Sequence, residues 1–509
     1  MSTITDDTAV DAVESDPSHH PELDEEAQAT DDAIWLRTRV TEPPRGRDRI
    51  RWWGPGLLWA MSSVGSGSVL FTPRVGSEYG YELLWLLLGV AFLMWVMIRE
   101  AGRFAVLTGR TLLDGFRTLP GPRNWALWVV FVPQLLAAVV GVGGLSALVG
   151  SALAGVLPGS LLPWALAMLA TSTVLVVSGG YSTVSRVALV LALGLVGVAV
   201  AAATQVLPDP GTFGSGLVPG VPSDLDVPFV LPWIGTILAG SMGILWYSYW
   251  AATRGYGGGA ADLSEGEIDD EQVDEPESDP AQRAERFDGW LRTMSTTAAI
   301  GVVTGTVVIT SFLLLGAELL APEGLVPSGV AVAEDLTRLF SDVWGRTGYW
   351  LMTAAILVTL GGSVLANQDG WSRTFADITL LLPRSREESA HANEVVRGPR
   401  WFCAIVERRP AGMNPRRAIK SLFAIVVVGI APAIVIAVAR DPVAIMSVSG
   451  IVATLHTPFI VFGTLAVNRR LPAVGRPSRT MQALLGASGV FYTCFAGAYF
   501  ADLLGLLGG

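Results

Sequence analysis

The stretch GPGLLWAMSSVGSGSVLFTPRVGSEYG (residues 54–80) has apolar ends and a polar, flexible centre. Its middle reads GSGS (65–68), and Pro73 follows. Glycine costs about 1 kcal/mol in a helix interior, and proline costs about 3 kcal/mol. Irregular backbone at the depth of a bilayer core persists only where it lines a cavity or is buried in protein. The stretch therefore predicts a membrane helix that unwinds at residues 65–68.

A second stretch, PWIGTILAGSMGILWYSYWAATRGYG (residues 232–257), repeats the pattern with the break GSMG (240–243). Two such breaks, one in each half of a ten-helix core, are typical of inverted-repeat transporters, in which broken helices offer free backbone groups to the substrate. Close helix packing through small residues is the alternative interpretation of each break taken alone. Their matching positions favour a binding site. The predicted substrate-binding residues are Gly65, Ser66, Gly67, Ser68, Gly240, Ser241, Met242 and Gly243.

The composition places these stretches in a membrane protein. Hydrophobic residues make up 51% of the 509 residues and charged residues 16%, whereas soluble proteins carry about 25% charged residues. Runs of about 20 apolar residues are long enough to cross a bilayer as helices. Eleven such runs occur, near 53–76, 79–106, 124–153, 160–180, 183–206, 231–256, 290–319, 347–377, 418–439, 443–468 and 480–505. The predicted fold is an all-α polytopic membrane protein with a 5+5 inverted-repeat core and an eleventh helix.

Arginine placement predicts the orientation, because cytoplasmic loops carry an excess of Lys and Arg. Four arginines lie within 45–51, just before the first helix, and the loop 378–417 holds eight more. The opposite loops, 154–159 and 207–230, contain no Arg or Lys. We therefore expect a multi-pass protein of the cell membrane with a cytoplasmic N-terminus and an extracellular C-terminus.

Two acidic segments account for the net charge of −11. Residues 1–36 contain no Lys or Arg, and residues 261–279 are equally acidic. Such segments bury too little apolar surface to fold alone. We predict a disordered acidic tail with a basic end (1–50), followed by a transporter domain (51–506). That domain contains an acidic cytoplasmic loop (257–288) and a basic one (378–417).

Three short segments resemble one family. GPGLLWAM (54–61), GSEYGYELLW (76–85) and AVLTGRTLLDGF (105–116) are similar to the first two helices and the following segment of the Nramp divalent-metal transporter family. The resemblance extends through the tenth helix. It implies the two-fold inverted-repeat core, a divalent metal cation as cargo, and cargo binding at the two breaks.

The chain departs from that family at the metal ligands. By the resemblance, GSGS (65–68) stands where the family has Asp-Pro-Gly-Asn, and GSMG (240–243) where it has Met-Pro-His-Asn. Manganese and iron sites use carboxylate, imidazole or thioether donors. Met242 lies two residues beyond Gly240, which in a helix turns it about 200° away. We therefore predict weak binding of manganese and iron and interpret the chain as a divergent bacterial or archaeal branch of the family.

Three ionisable residues are candidates for a gate or for coupling. Arg74 and Glu78 lie four residues apart near the outer end of the first helix, where they form either a gate or a local ion pair. His456 lies within the tenth helix, and an ionisable group in a membrane is a functional hypothesis. The alternative is a packed neutral histidine bonded to Ser449 or a backbone carbonyl.

The sequence favours a secondary transporter that works by alternating access, with the lipid bilayer and a cation or other small molecule as its partners. A transporter of a non-metal solute and a membrane receptor or sensor are the alternatives. We find no basic stripe that indicates nucleic acid, no catalytic motif that indicates an enzyme, no set of metal ligands and no sign of a cofactor.

Overall fold

The computed structural model describes residues 36–37, 39–54, 56, 59, 65, 67–179, 194, 196–258, 261–262, 267–268, 279–383 and 414–506. Ser66, most of the acidic tail and loop, the loop 384–413 and the beginning of the predicted fifth helix lie outside the described residues. The domain boundaries predicted in those segments stay predictions.

Helices dominate the first half of the described chain. A 3₁₀ turn (Gly46–Trp52) precedes the first membrane segment, which contains a π-helical turn (Gly67–Phe71). The α-helices that follow are α1 (Thr72–Tyr79), α2 (Leu84–Thr108), α3 (Leu112–Arg117), α4 (Trp125–Val156), α5 (Leu161–Ser178) and α6 (Pro210–Ser215). Residues 196–203 are also helical.

The second half continues with the two parts of the sixth predicted helix, α7 (Val227–Thr236) and α8 (Gly240–Arg254). Two strands, β1 (Ala261–Asp262) and β2 (Glu267–Ile268), then form a short antiparallel pair. The remaining α-helices are α9 (Pro280–Leu315), α10 (Val332–Leu381), α11 (Pro415–Ile425), α12 (Ala431–Ala439), α13 (Pro442–Arg469) and α14 (Arg479–Leu503). Shorter turns are π-helical at Gly316–Leu320 and Val426–Ile430 and 3₁₀ at Ile237–Ala239 and Ala321–Glu323.

Within the described residues, nine helices are long and apolar enough to cross a membrane. They correspond to nine of the eleven predicted runs; the first and fifth runs are described only in part. The eighth helix differs most from its prediction, because α10 begins at Val332 rather than near 347. Its backbone leaves the helical region at Trp344 and Gly345, so the predicted span begins just after this kink.

The helices pack in two groups that meet around the sixth predicted helix. In one group, α2 packs on α8 and α9, and α1 packs on α9. In the other, α4 packs on α5, α10 and α13, and α10 packs on α11. The first half of the broken helix, α7, lies against α13, whereas α8 contacts both α2 and α13. The sixth predicted helix therefore lies where the two groups meet.

Candidate functional site

The sixth predicted helix is broken, three residues earlier than the sequence suggested. Leu238 (φ 55°, ψ 48°) and Gly240 (φ 58°, ψ −166°) leave the right-handed helical region. The break thus covers 237–240, and the prediction of unwinding over 240–243 is wrong for residues 241–243, which already belong to α8. Gly240 takes the conformation that needs a glycine, whereas Gly243 is ordinary helix.

The first predicted helix changes geometry at its GSGS sequence. Gly65 lies in a bend, and the π-helical turn begins at Gly67. The Thr72 hydroxyl donates to the Gly67 carbonyl oxygen at 2.6 Å and accepts from Trp233 Nε1 at 3.0 Å. Unwinding was predicted for all of 65–68, but Gly67 and Ser68 are π-helical. Single π-turns occur often at functional sites, because they free or redirect backbone groups.

The two breaks line one cavity of about 90 Å³ in the middle of the bundle. Roughly, this holds a few water molecules or an ion with part of its hydration shell. From the breaks, the lining residues are Gly65, Gly67, Gly240, Ser241 and Met242. Of the other predicted residues, Ser68 is fully buried and Gly243 accepts a hydrogen bond from Trp59 Nε1 through its carbonyl oxygen. Neither of these two lines the cavity.

Met242 does not face away from Gly240 as expected, since both residues line the cavity. The expectation assumed a helical rotation between the two positions. Gly240 is not helical (φ 58°, ψ −166°), so that rotation does not apply.

Three further helices also line the cavity, and each contributes residues from one of its faces. The lining residues recur at helical spacing: Gln134, Ala137, Gly141 and Leu145 on α4, Ser363, Asn367 and Trp371 on α10, and Met446, Ser449 and Ala453 on α13. The sequence interpretation did not select these residues. Polar side chains spaced by three or four in apolar helices were the signal that could have identified them.

Gln134 connects four of these helices. Its Nε2 donates to Ser241 Oγ on α8 at 3.0 Å and lies 2.9 Å from His456 Nδ1 on α13. Its Oε1 accepts from Trp371 Nε1 on α10 at 3.2 Å. His456 was expected to bond Ser449 or a backbone carbonyl. Ser449 donates to the Ala137 carbonyl oxygen instead, whereas the His456 ring does interact with the Val129 backbone. The amide of Gln134 is the partner that the prediction missed.

Two indole rings form one end of the cavity. Trp246 and Trp371 pack edge to face with centroids 5.6 Å apart. Trp246 Nε1 donates to Thr374 Oγ1 at 3.1 Å. Both indole N–H groups thus have protein partners, Thr374 for Trp246 and Gln134 for Trp371.

Beyond the indoles, ion pairs join α10 and α11, and a tyrosine hydrogen bond connects α8 to them. Arg416 forms a bidentate salt bridge with Asp377. The Oδ2 atom of Asp377 also accepts a hydrogen bond from the Tyr249 hydroxyl at 2.9 Å. Asp369, which is buried, pairs with Lys420 at 2.5 Å and also with Arg373. Asp369 and Arg373 are four residues apart on α10, a local pairing that the sequence could have indicated. Arg416 and Lys420 lie 39 and 51 positions from their aspartates, and the sequence gave no local signal for those pairs.

Arg74 and Glu78 form no salt bridge with each other in the described part of the chain. The Arg74 guanidinium lies over the Phe229 ring of α7, 4.9 Å from its centroid, and Glu78 is exposed. Asp441, at the start of α13, is the other acidic side chain near Arg74. Arg74 therefore bridges α1 and α7 through an aromatic face rather than through an ion pair.

The lining residues offer neutral donors. The set contains hydroxyl, amide and thioether groups with the two indoles, and none of the lining residues is Asp or Glu. In the described residues, no group of three or more His, Cys, Asp or Glu side chains is placed to hold a metal ion. A divalent cation bound here would have to exchange water for uncharged ligands.

Solved structures share this fold. The crystal structure of a mutant of the Eremococcus coleocola manganese transporter superimposes with a TM-score of 0.65 at 15% identity, covering 92% of this chain and 90% of that one. The same transporter in complex with an aromatic bis-isothiourea compound gives a TM-score of 0.64 at 15% identity, covering 93% and 91%. The fold is thus the inverted-repeat transporter fold with broken first and sixth helices and an added eleventh helix.

Curated relatives match over a short stretch. A divalent metal cation transporter MntH from Yersinia enterocolitica is 30% identical over 98 residues, which cover 18% of this chain and 24% of that protein. The chain thus matches about a quarter of this relative's length. The family described as "Natural resistance-associated macrophage protein-like" (Nramp) matches residues 56–368. Because this match spans more than half of the chain, the protein belongs to the Nramp family.

Proposed function

We propose that this protein is a secondary transporter that moves a cation across the cell membrane by alternating access through the central cavity. The observation that carries the proposal is the meeting of both helix breaks at one cavity, which Gly65, Gly67, Gly240, Ser241 and Met242 line. In transporters of this design the cargo binds where discontinuous helices meet near the membrane midplane. A divalent metal ion is the cargo that family membership suggests.

Broken helices supply backbone groups as well as side chains. The end of α7 leaves carbonyl groups near the cavity, and the start of α8 leaves N–H groups there. A cation would be held by carbonyl and hydroxyl oxygens, with the Asn367 amide and the Met242 thioether completing the wall.

The proposal includes an orientation, with the N-terminus inside and the C-terminus outside. The lining residues run from Trp246 and Trp371 towards Leu145, near the end of α4, and Met446, near the start of α13. In the proposed orientation this direction is outward. Leu145 and Met446 then lie towards the outer end of the cavity, and the indole pair lies at its cytoplasmic end.

Arg74 and His456 keep distinct roles in the proposal. Arg74, held over Phe229, is an outer gate residue whose contact with α7 must open and close with the cavity. His456, one hydrogen bond behind the cavity wall through Gln134, is a candidate for coupling. Glu78 is exposed and contributes only a negative charge near Arg74.

The function is tested by uptake into proteoliposomes that hold the purified full-length protein. We expect wild-type vesicles to take up a cation from a panel of divalent and monovalent ions. Ala137→Phe, which fills the cavity, should abolish uptake, whereas Ala437→Phe on the exposed face of α12 should not. Absence of uptake for every ion, with folded protein in the vesicles, would contradict the proposal.

The orientation has its own test. Two single-cysteine proteins are made in a background with Cys403→Ala and Cys494→Ala. One carries Thr212→Cys and the other a cysteine within 388–396, and each is treated with a membrane-impermeant labelling reagent. Thr212→Cys should react from outside intact cells, and the second cysteine only after the membrane is opened. Labelling of both from outside would contradict the orientation.

A further inference from the structure

The orientation of the Gln134 amide follows from its neighbours. An indole N–H can only donate, so the group that faces Trp371 Nε1 at 3.2 Å must be the amide oxygen. The amide nitrogen then faces Ser241 Oγ and His456 Nδ1, and it donates one hydrogen to each. Every polar position of the side chain is used, and Gln134 is only 1% exposed.

The same hydrogen bonds determine the tautomer and the charge of His456. Because Nδ1 accepts from Gln134, the ring proton lies on Nε2 and the ring is neutral. The ring stacks on Phe459 with centroids 6.0 Å apart and faces the Val129 backbone. Among the described residues no charged side chain interacts with it. Gln134 and His456 thus form an uncharged pair directly behind the wall of the cavity.

We propose that Gln134 is the specificity-determining residue of the cavity, where its neutral amide positions Ser241 and Trp371 and disfavours a doubly charged cation. This inference rests on the proposed function, since it assigns the cavity to the cargo. Gln134 lines the cavity itself and touches a predicted binding residue, Ser241, directly. It is therefore placed to set both the shape and the charge of the site.

Glutamine and glutamate are nearly equal in size and differ in charge. Glutamate at 134 would keep the Trp371 bond, and the Ser241 hydroxyl can turn to donate to it, but a carboxylate has no hydrogen to donate to His456 Nδ1. It would also bring a carboxylate to a wall that has none among its lining residues. Affinity for divalent cations rises with the number of charged ligands, and a carboxylate acts strongly in a site with little water.

The test is titration calorimetry of the purified full-length protein with manganese chloride. Gln134→Glu should bind Mn²⁺ about tenfold or more tightly than wild type. Gln134→Met, which keeps the size but removes the hydrogen bonds, should raise the KM for the transported cation without a gain in Mn²⁺ affinity. Gln205→Glu, on an exposed side chain, is the matched control and should bind Mn²⁺ as wild type does.

A second variant keeps the inference testable if Gln134→Glu does not fold. In Gln134→Glu with His456→Gln, the new amide donates to the carboxylate and restores the bond to α13. If either folded variant binds Mn²⁺ no better than wild type, Gln134 has only a structural role and the inference is wrong. A gain in Mn²⁺ binding without uptake of any cation would support the role of Gln134 and contradict the proposed transport instead.

Discussion

Gly67 lies directly against the carbonyl oxygen of Thr236, so closely that a Cβ at position 67 would come within 2.2 Å of it. The backbones of the two broken helices thus touch at the edge of the cavity. Only glycine permits this approach, because any side chain would meet backbone rather than a flexible side chain.

Gly67→Ala should therefore push the two breaks apart. We expect the variant to lose about 1–3 kcal/mol of stability, as overpacked sites do, and to melt at a lower temperature in detergent. Gly89→Ala is the control, since Gly89 lies in α2 with open space around it. Equal melting temperatures for both variants would show that the two backbones can separate without cost.

Wild-type protein should show no saturable binding of manganese or iron at micromolar concentrations. Among the described residues that line the cavity there is no carboxylate to offset the dehydration of a divalent cation. Titration calorimetry checks this, with Ser68→Ala and His456→Ala as comparisons. Micromolar binding that either substitution abolishes would mean that other residues rebuild a metal site.

The bond between Tyr249 and Asp377 should hold the cavity closed at the end with the two indoles. Tyr249 lies on α8, whereas Asp377 and Arg416 lie on α10 and α11 of one packing group, so the Tyr249–Asp377 bond joins the broken helix to that group. A hydrogen bond to a charged group contributes about 1.5–3 kcal/mol. Tyr249→Phe should therefore favour opening at this end.

The opening is measured through a cysteine at Asn367, which lines the cavity, in the background without Cys403 and Cys494. In inside-out vesicles, Tyr249→Phe should raise its labelling rate about tenfold. Tyr499→Phe on α14 serves as the control. Unchanged labelling in Tyr249→Phe would show that the bond does not limit opening.

Asp369 should matter more for stability than Lys420, the only lysine of the chain. The Asp369 side chain is 6% exposed and faces two cations, whereas Lys420 is 25% exposed. Asp369→Asn leaves both cations without their carboxylate and should cost about 3 kcal/mol or more. In Lys420→Met the carboxylate keeps Arg373, so we expect a smaller loss. Thermal unfolding in detergent ranks the two variants, and the reverse order would contradict this account.

Most of the fold was predictable because the local sequence determines where a membrane helix forms. Nine described helices overlap the predicted apolar runs, since a chain in lipid must satisfy its own backbone hydrogen bonds. The break in the sixth helix was predicted but misplaced. Gly240 and Gly243 both permit a positive φ, and packing selects Gly240, where a Cβ would lie 2.5 Å from the Gly235 carbonyl oxygen.

By itself, the sequence determined that the chain spans a membrane and that two of its helices are interrupted, because length, hydropathy and glycine content act locally. Only the tertiary structure decided that Gln134 joins Ser241, His456 and Trp371. These partners lie 107, 322 and 237 positions from it along the chain. Which side chains meet depends on how each helix is rotated about its axis and where it crosses its neighbours. A helix that is apolar on nearly all sides shows no preferred face in its sequence, so its rotation cannot be predicted from the sequence.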